Sequence, residues 1–397
     1  MESLRELYKI GAGPSSSHTM GPQKAARIFK EKHPSARRRR VELYGALALT
    51  GKGHLTDWII KRELGESSCE VVFLPEINFD YHPNGMKFIA YDDAGKQIGE
   101  WLVFSVGGGD LKNLNEERVA GNLLYPHGNM ADILEHTEKN NQTLLTYILR
   151  AEGAEIWDFA MEILAAMFSA VERGVNSFGT LPGALAIKRR AGDIYQQYEK
   201  TRDFNTLIFS AALAVSEENA AGGEVVTAPT CGSSGVMPGV LYAYHKHRQY
   251  PLPKLAEGLL VGGLVGNLVK RNASISGAEV GCQGEVGTAC AMTAAAVSHI
   301  EGGTNRQIEY AAEIALEHHL GMTCDPVLGY VQIPCIERNA LSARRAVDSA
   351  AFALLTDGSH YISLDDVIQS LKETGRDLHP HYRETALGGL AKRKARK

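Results

Sequence analysis

Residues 156–174 read IWDFAMEILAAMFSAVERG, and Ile156, Phe159, Ile163, Met167 and Ala170 recur there at steps of three and four. That spacing puts them on one face of a helix, with Gly174 standing where a C′ residue would end it. No β-branched alternation of comparable length follows residue 150, so the chain beyond it is expected to be helical. The same texture returns at 304–317. Thr304 with Gln307 forms a capping box, Ile308, Ala311, Ala312, Ala315 and Leu316 share a face, and Glu309, Glu313 and Glu317 fill the polar positions. Gly258 to Val269, with Gly262, Gly263 and Gly266, is the most apolar stretch. It is too short to span a bilayer and is expected to be a buried, tightly packed helix.

Toward the N-terminus the texture alternates instead. Val41–Leu47 and Cys69–Leu74 are expected strands, and Met86–Tyr91 and Ile98–Val106 flank Asp92–Lys96 as a hairpin. Pro22–Lys32 and Thr56–Leu64 have helical spacing. The expected fold class is therefore α+β: a small α+β domain over residues 1–125, a polar, irregular linker over 126–142, and a larger, mostly helical catalytic domain over 143–397, with no internal repeat.

The 397 residues, 44% of them apolar, carry a formal charge of only −4, with a mean hydropathy of −0.17. Nothing in that balance calls for nucleic acid or an anionic membrane as a partner. The basic runs Arg37–Arg40 and 392–397 read as solvated. The opening Met-Glu-Ser-Leu-Arg-Glu-Leu-Tyr lacks the apolar run of a signal peptide, which gives a cytoplasmic expectation. Six cysteines in a reducing compartment argue for thiolate chemistry or plain burial rather than a disulfide framework.

Three of those cysteines stand in unusual surroundings: Cys282 in GCQGEVG, Cys324 in MTCDP and Cys335 in QIPCIERN. They suggest an iron–sulfur site. A [4Fe–4S] cluster normally takes four cysteines, so a three-cysteine cage leaves one iron free to bind a substrate oxygen as a Lewis acid. None of the spacings is CxxC, and on spacing alone buried, incidental cysteines are the favoured reading. The neighbours favour the cluster, because Gly281, Gly284 and Gly287 allow close backbone approach and Pro326 and Pro334 fix the loops. Cys290 and Cys69 are assigned to packing, and Cys231 is the alternative fourth thiolate.

Two hydroxyl-rich segments precede helices, Ser15-Ser16-Ser17-His18-Thr19 and Thr230-Cys231-Gly232-Ser233-Ser234. Backbone amides at a helix start, together with such hydroxyls, suit a carboxylate, while the plain alternative is an N-cap on a flexible loop. His54, in GKGHLTD, is a candidate general base with its tautomer set by Asp57, or else polar surface. There is no G-x-S-x-G, H-E-x-x-H or P-loop.

At these residues the chain resembles the iron–sulfur-dependent L-serine dehydratases, in the form with both halves fused. The resemblance rests on GPSSSHTMGP, GKGHLTD, HPNGM and FSVGGG in the first part. In the second it rests on LPGALAIKRRAG, APTCGSSGVMPG, ASISGAEVGCQGEVG, CDPVLGYVQIPCIERN and TALGGLA. It implies a [4Fe–4S] cluster on Cys282, Cys324 and Cys335, with His54, Ser15, Ser17, His18 and Thr19 as catalytic residues. Ser16, Asn84, Thr230, Ser233 and Ser234 would be substrate-binding residues. It further implies L-serine as substrate, a homodimer, and a place in amino-acid degradation feeding gluconeogenesis. Several relatives end in a cysteine after the Gly-Gly-Leu-Ala segment; here none follows Ala391, so water, hydroxide or substrate is the expected fourth ligand. No ACT-type regulatory domain is apparent. The rival readings are a cluster lyase acting on L-threonine or L-cysteine, a pyridoxal-phosphate dehydratase using Lys372, and a non-enzymatic iron–sulfur sensor.

Overall fold

The computed structural model describes residues 1–114 and 123–393. Part of the expected α+β stretch, residues 115–122, and residues 394–397 of the basic tail lie outside it. Among the described residues there are seven strands: β1 (Ile10–Ala12), β2 (Arg38–Tyr44), β3 (Cys69–Leu74), β4 (Gly85–Tyr91), β5 (Gln97–Ser105), β6 (Leu111–Asn113) and β7 (Glu224–Val226). Strands β2 to β6 form one sheet in the order β3-β2-β4-β5-β6, with β2 and β3 parallel and the other pairs antiparallel. The parallel pair needs a crossover. It is supplied by the helices α2 (Gly45–Thr50) and α3 (Thr56–Leu64), while α1 (Gly21–Lys32) precedes β2. Phe29, Val41, Leu43, Ile59, Ile60 and Phe88 fill the core between sheet and helices, and each such buried side chain contributes about 1.5–3 kcal/mol.

The remaining helices are α4 (Met130–Lys139), α5 (Leu144–Glu152), α6 (Ile156–Val175), α7 (Ala191–Thr201), α8 (Phe204–Ala220), α9 (Val236–Lys246), α10 (Leu252–Asn272), α11 (Gly277–Val280), α12 (Thr288–Ile300), α13 (Asn305–Glu317), α14 (Cys335–Leu354) and α15 (Leu364–Asp377). They share a second core with α10 and α12 at its centre. The molecule is thus α+β, as expected. Helix α10 has the length and hydropathy of a membrane span, but 78% of its apolar window is buried in the protein. Its glycines explain why. A Cβ at Gly262 would lie 2.5 Å from the Met292 carbonyl oxygen on α12, and one at Gly263 would lie 2.9 Å from the Tyr8 ring.

That contact corrects one expectation about the N-terminus. Met1, Leu4, Leu7 and Tyr8 are buried in the helical core, not in the core under the sheet, and Tyr8 Oη donates to the Leu259 carbonyl at 2.8 Å. Strand β1 pairs antiparallel with β7, so the region beyond residue 150 is not wholly helical. Lys9 and Lys270 also converge on Asp110, in the turn between β5 and β6.

Other local differences have physical causes. The linker expected at 126–142 contains α4, whose start is capped by the Asn129 side chain accepting from Asp132 N. The strand expected at Val41–Leu47 runs from Arg38 to Tyr44, ending at Gly45 in the left-handed region before α2. Gly174 does not end its helix; it lies inside α6, pressed against the backbone of Ala214. Arg39 is buried rather than solvated and donates to the His33 carbonyl. The Thr304–Gln307 capping box is present. Glu309 and Glu313, expected on the surface, are each only 3% exposed. Glu309 accepts from Leu364 N at 2.7 Å and faces His360 Nε2 at 2.9 Å, so it holds the N-terminus of α15 in place.

Candidate active site

Cys282 follows Gly281, whose φ of +75° turns the chain out of α11 and into the tight turn leading to α12. Cys335 is the first residue of α14, directly after Pro334. Cys324 lies between them in extended chain. Its N–H donates to the Tyr382 carbonyl and its own carbonyl accepts from Glu384 N, both at 2.8 Å, so the C-terminal segment pins it on both sides. The three thiols are 2%, 4% and 8% exposed, and all six cysteines are free. Burial therefore does not separate them from the other three; their neighbours do.

The ligand atoms of Cys282, Cys324 and Glu285 lie within 4.8 Å of one another. Arg338, one turn along α14 from Cys335, interacts with all three thiols and donates to the Thr323 carbonyl at 2.6 Å. Its hydrogen-bonding neighbour Cys324, and then Arg338, hold the Cys282 thiol below its ordinary pKa, while Cys324 is pushed up by the same shared hydrogen bond. Burial, followed by the charge of Cys282, pushes Cys335 up. Such a site favours a bound cation, which would replace the shared proton with metal–thiolate bonds. By contrast, Cys290 contacts the Ser342 carbonyl inside the helical core and Cys69 sits in β3. Cys231 abuts the Met20 sulfur at 3.3 Å, at the edge of the site.

The two hydroxyl segments meet this centre, but much of their hydrogen bonding is spent on the fold. Ser15 Oγ accepts from His18 N, Thr19 Oγ1 donates to the His54 carbonyl at 2.7 Å, and Thr56 Oγ1 donates to the His18 carbonyl at 2.6 Å. These bonds lace the 15–20 turn to the 51–56 loop. Ser17 Oγ lies 2.9 Å from His18 Nδ1, and Ser16 is buried beside it. In the second segment Thr230 and Ser233 bond each other, whereas Ser234 Oγ is buried with no partner. Asn339, one turn after Cys335, accepts from Gly235 N and donates to the Gly232 and Cys335 carbonyls, tying this cradle to a cysteine. Asn84 donates to the Ser105 carbonyl but leaves its Oδ1 buried and unpaired, next to His82, whose Nδ1 accepts from Asn84 N. Unpaired polar atoms this deep are rare in a folded chain and mark where a ligand would pair them.

His54 is not polar surface; it is 1% exposed. Leu55, in the left-handed region at φ +57°, turns the chain after it. Gly53 packs so closely that a Cβ would lie 2.5 Å from the Gly329 carbonyl oxygen of the helical part. The expected partner Asp57 is elsewhere, accepting from Trp58 N at the start of α3. The carboxylate that reaches His54 is Glu384, whose Oε1 lies 3.8 Å from His54 Nε2 and 3.5 Å from His18 Nδ1. The two imidazole rings are 4.5 Å apart. Burial lowers His18 to about 4 and holds His54 well below its usual value, so both rings are neutral at pH 7.

Two further carboxylates complete the centre and were missed from sequence. Glu285 is pushed up to about 8 by desolvation and then by Glu384; Glu384 is pushed up to about 8 by burial and then by Cys282. Glu285 sits inside the GCQGEVG segment and Glu384 immediately before TALGGLA. For Glu285 the available signal was a lone acid between Gly284 and Val286; Glu384, between Arg383 and Thr385, carried none. The arrangement brings thiols, a guanidinium, two neutral imidazoles and protonatable carboxyls together in the protein interior. It can hold a metal cluster and move a proton.

Residues 3–72 match the serine dehydratase beta chain family and residues 103–391 the serine dehydratase alpha chain family. The chain is 41% identical to an L-serine dehydratase of Streptomyces coelicolor over 98% of each chain. It is 38% identical to an L-serine dehydratase of Haemophilus influenzae, over 98% of this chain and 99% of the relative. It is also 39% identical to L-serine dehydratase 2 of Escherichia coli, over 98% of each.

Proposed function

Because this chain belongs to the serine dehydratase family, carrying both its alpha and beta regions in one polypeptide, we propose that it converts L-serine to pyruvate and ammonia with a [4Fe–4S] cluster on Cys282, Cys324 and Cys335. The observation that carries this reading is that Glu384, which interacts with the buried Cys282 and Cys324, also faces the buried, neutral His54 from the opposite end of the sequence. The donor set suits the group: free thiols, a guanidinium to balance thiolate charge, and unpaired polar atoms on Ser234, Asn84 and Glu384. When bound, a cluster held by three thiolates supplies an iron with an open position, a Lewis acid for the departing β-hydroxyl.

The chain's own residues supply the rest. His54, neutral at pH 7, takes the weakly acidic Cα proton, which with loss of the β-hydroxyl gives aminoacrylate. Aminoacrylate tautomerises and hydrolyses in water to pyruvate and ammonia. Ser234, Thr230, Asn84 and the backbone of the 15–19 turn hold the substrate carboxylate and orient the Cα–H bond toward His54. Ser15, Ser17, Thr19 and Ser233 serve that task by shaping the two cradles, and Ser16 and His18 line the first of them. The names of the relatives favour L-serine over L-threonine or L-cysteine, and favour an enzyme over a sensor. The resemblance carries the further proposal of a cytoplasmic homodimer, and the burial of α10 within the protein argues against its spanning a membrane.

An iron with an open position is exposed to oxygen. On exposure to air, anaerobically prepared protein is expected to lose its visible absorbance and its serine-dependent pyruvate release with the same time course, and iron with sulfide under reductant to restore both. Full turnover after the absorbance has gone would refute the cluster.

A further inference from the structure

We propose that Glu384 is the positioning residue of the base, orienting His54 so that Nε2 carries the proton and Nδ1 takes the Cα proton of the substrate. This inference rests on the functional reading above and adds to it a named partner and a named atom. His54 has two ring nitrogens in different surroundings. Nε2 faces Glu384 Oε1 at 3.8 Å, whereas Nδ1 is buried with no hydrogen-bond partner. A neutral imidazole bears one N–H and one lone pair, and the nitrogen facing a carboxyl oxygen is the one that donates. The lone pair then lies on Nδ1, the buried nitrogen left without a partner. A separation somewhat longer than a hydrogen bond is usual before substrate binds.

His18 does not compete for the role. Its Nε2 lies 3.3 Å from the Ala46 carbonyl and its Nδ1 2.9 Å from Ser17 Oγ, so both nitrogens are committed to the fold. The same commitments argue against reading His18, His54 and Glu384 as a separate metal site, although their ligand atoms lie within 4.8 Å of one another. Asp57 is excluded by its bond to Trp58 N.

The way Glu384 is held gives the arrangement a further property. Its backbone N–H donates to the Cys324 carbonyl, its neighbour Arg383 bridges Cys324, and its own φ of +57° turns the side chain out of that pairing. Two residues before it, the Tyr382 carbonyl accepts from Cys324 N. Beyond it, Leu390 N donates to Asp325 Oδ2 at 2.6 Å, anchoring the segment a second time beside Cys324. One short stretch thus fixes a cysteine with its backbone and the base with its side chain. It sets the spacing between the thiol centre in the helical part and the histidine from the α+β part.

The test is Glu384→Gln, which keeps shape and removes the ionisable carboxyl, assayed beside wild type, His54→Ala and the double variant. Glu384→Gln is expected to keep its iron content and visible spectrum, to lower kcat about 10- to 100-fold, less than the roughly 10²- to 10⁴-fold that a base itself contributes, and to leave KM nearly unchanged. In the His54→Ala background it is expected to add no further loss, because a residue acting through another has nothing left to act on. Wild-type kcat, loss of iron, or an additive effect in the double variant would each overturn the proposal. The last two would make Glu384 a support of the cluster or an independent catalytic group. Absence of pyruvate release by the wild-type holoprotein is a different result: it removes the functional reading, and this inference falls with it.

Discussion

Replacing Cys324 by alanine should give a protein that purifies without iron, without visible absorbance and without serine turnover. The expected loss is the larger part of an acceleration that in enzymes is on the order of a millionfold or more. The substitution removes one sulfur and little else. The backbone at residue 324 is held from both sides by Tyr382 and Glu384, and the pocket wall formed by Gly277 and Glu285 stays in place. A fold defect is therefore not the expected cause. Cys290→Ala is the matched control, since Cys290 is as deeply buried but contacts only the helical core. It should retain iron and turnover. Iron analysis, absorbance and pyruvate assay on the two variants check the pair, and a Cys324→Ala protein that keeps its iron would remove Cys324 from the ligand set.

His54→Ala should separate what Cys324→Ala joins. The cluster should remain, because no ligand is touched, while kcat falls by about 10²- to 10⁴-fold, the usual contribution of a positioned base. His54 is well suited to this role: burial, then the neighbouring His18, keeps it neutral, so it is an empty proton acceptor at pH 7. Its loss also leaves a cavity beside His18, but the loop around it is held by Thr19 and Thr56 through backbone carbonyls, which the substitution does not alter. Full activity in this variant would take His54 out of the reaction.

Much of this site was legible because its chemistry sits in residue types that are costly elsewhere. Cysteines flanked by glycine and proline, and a histidine directly after a Gly-Lys-Gly run, are poor choices for a core or a surface, so their segments stood out. What was not legible is what long-range packing alone decides. Glu384 lies more than 300 residues from His54 along the chain, and only the folded C-terminal segment brings them together. Asp57 was the reasonable guess from spacing, yet it lies in the first turn of α3, where a negative charge is favoured, and accepts from Trp58 N.

The fold shows the same division. Strands β2 to β5 and helices α1 and α3 could be read from alternation and helical spacing, and α6 and α13 from their periodicity. The burial of Glu309 and Glu313 could not, because a glutamate that anchors another helix looks in sequence like one that faces water. The pairing of β1 with β7 depends on three residues at each end of a long separation, too short a pattern to stand out. Gly174 was misread because a glycine that lets two helix backbones touch and a glycine that stops a helix leave the same mark.

The most direct test of the central claim is pyruvate release from L-serine by anaerobically reconstituted protein, measured beside the same preparation stripped of iron, with no pyridoxal phosphate in either. Release in the iron-loaded sample alone is the predicted result. Equal release from the stripped protein, or release that appears only when pyridoxal phosphate is added, would contradict it.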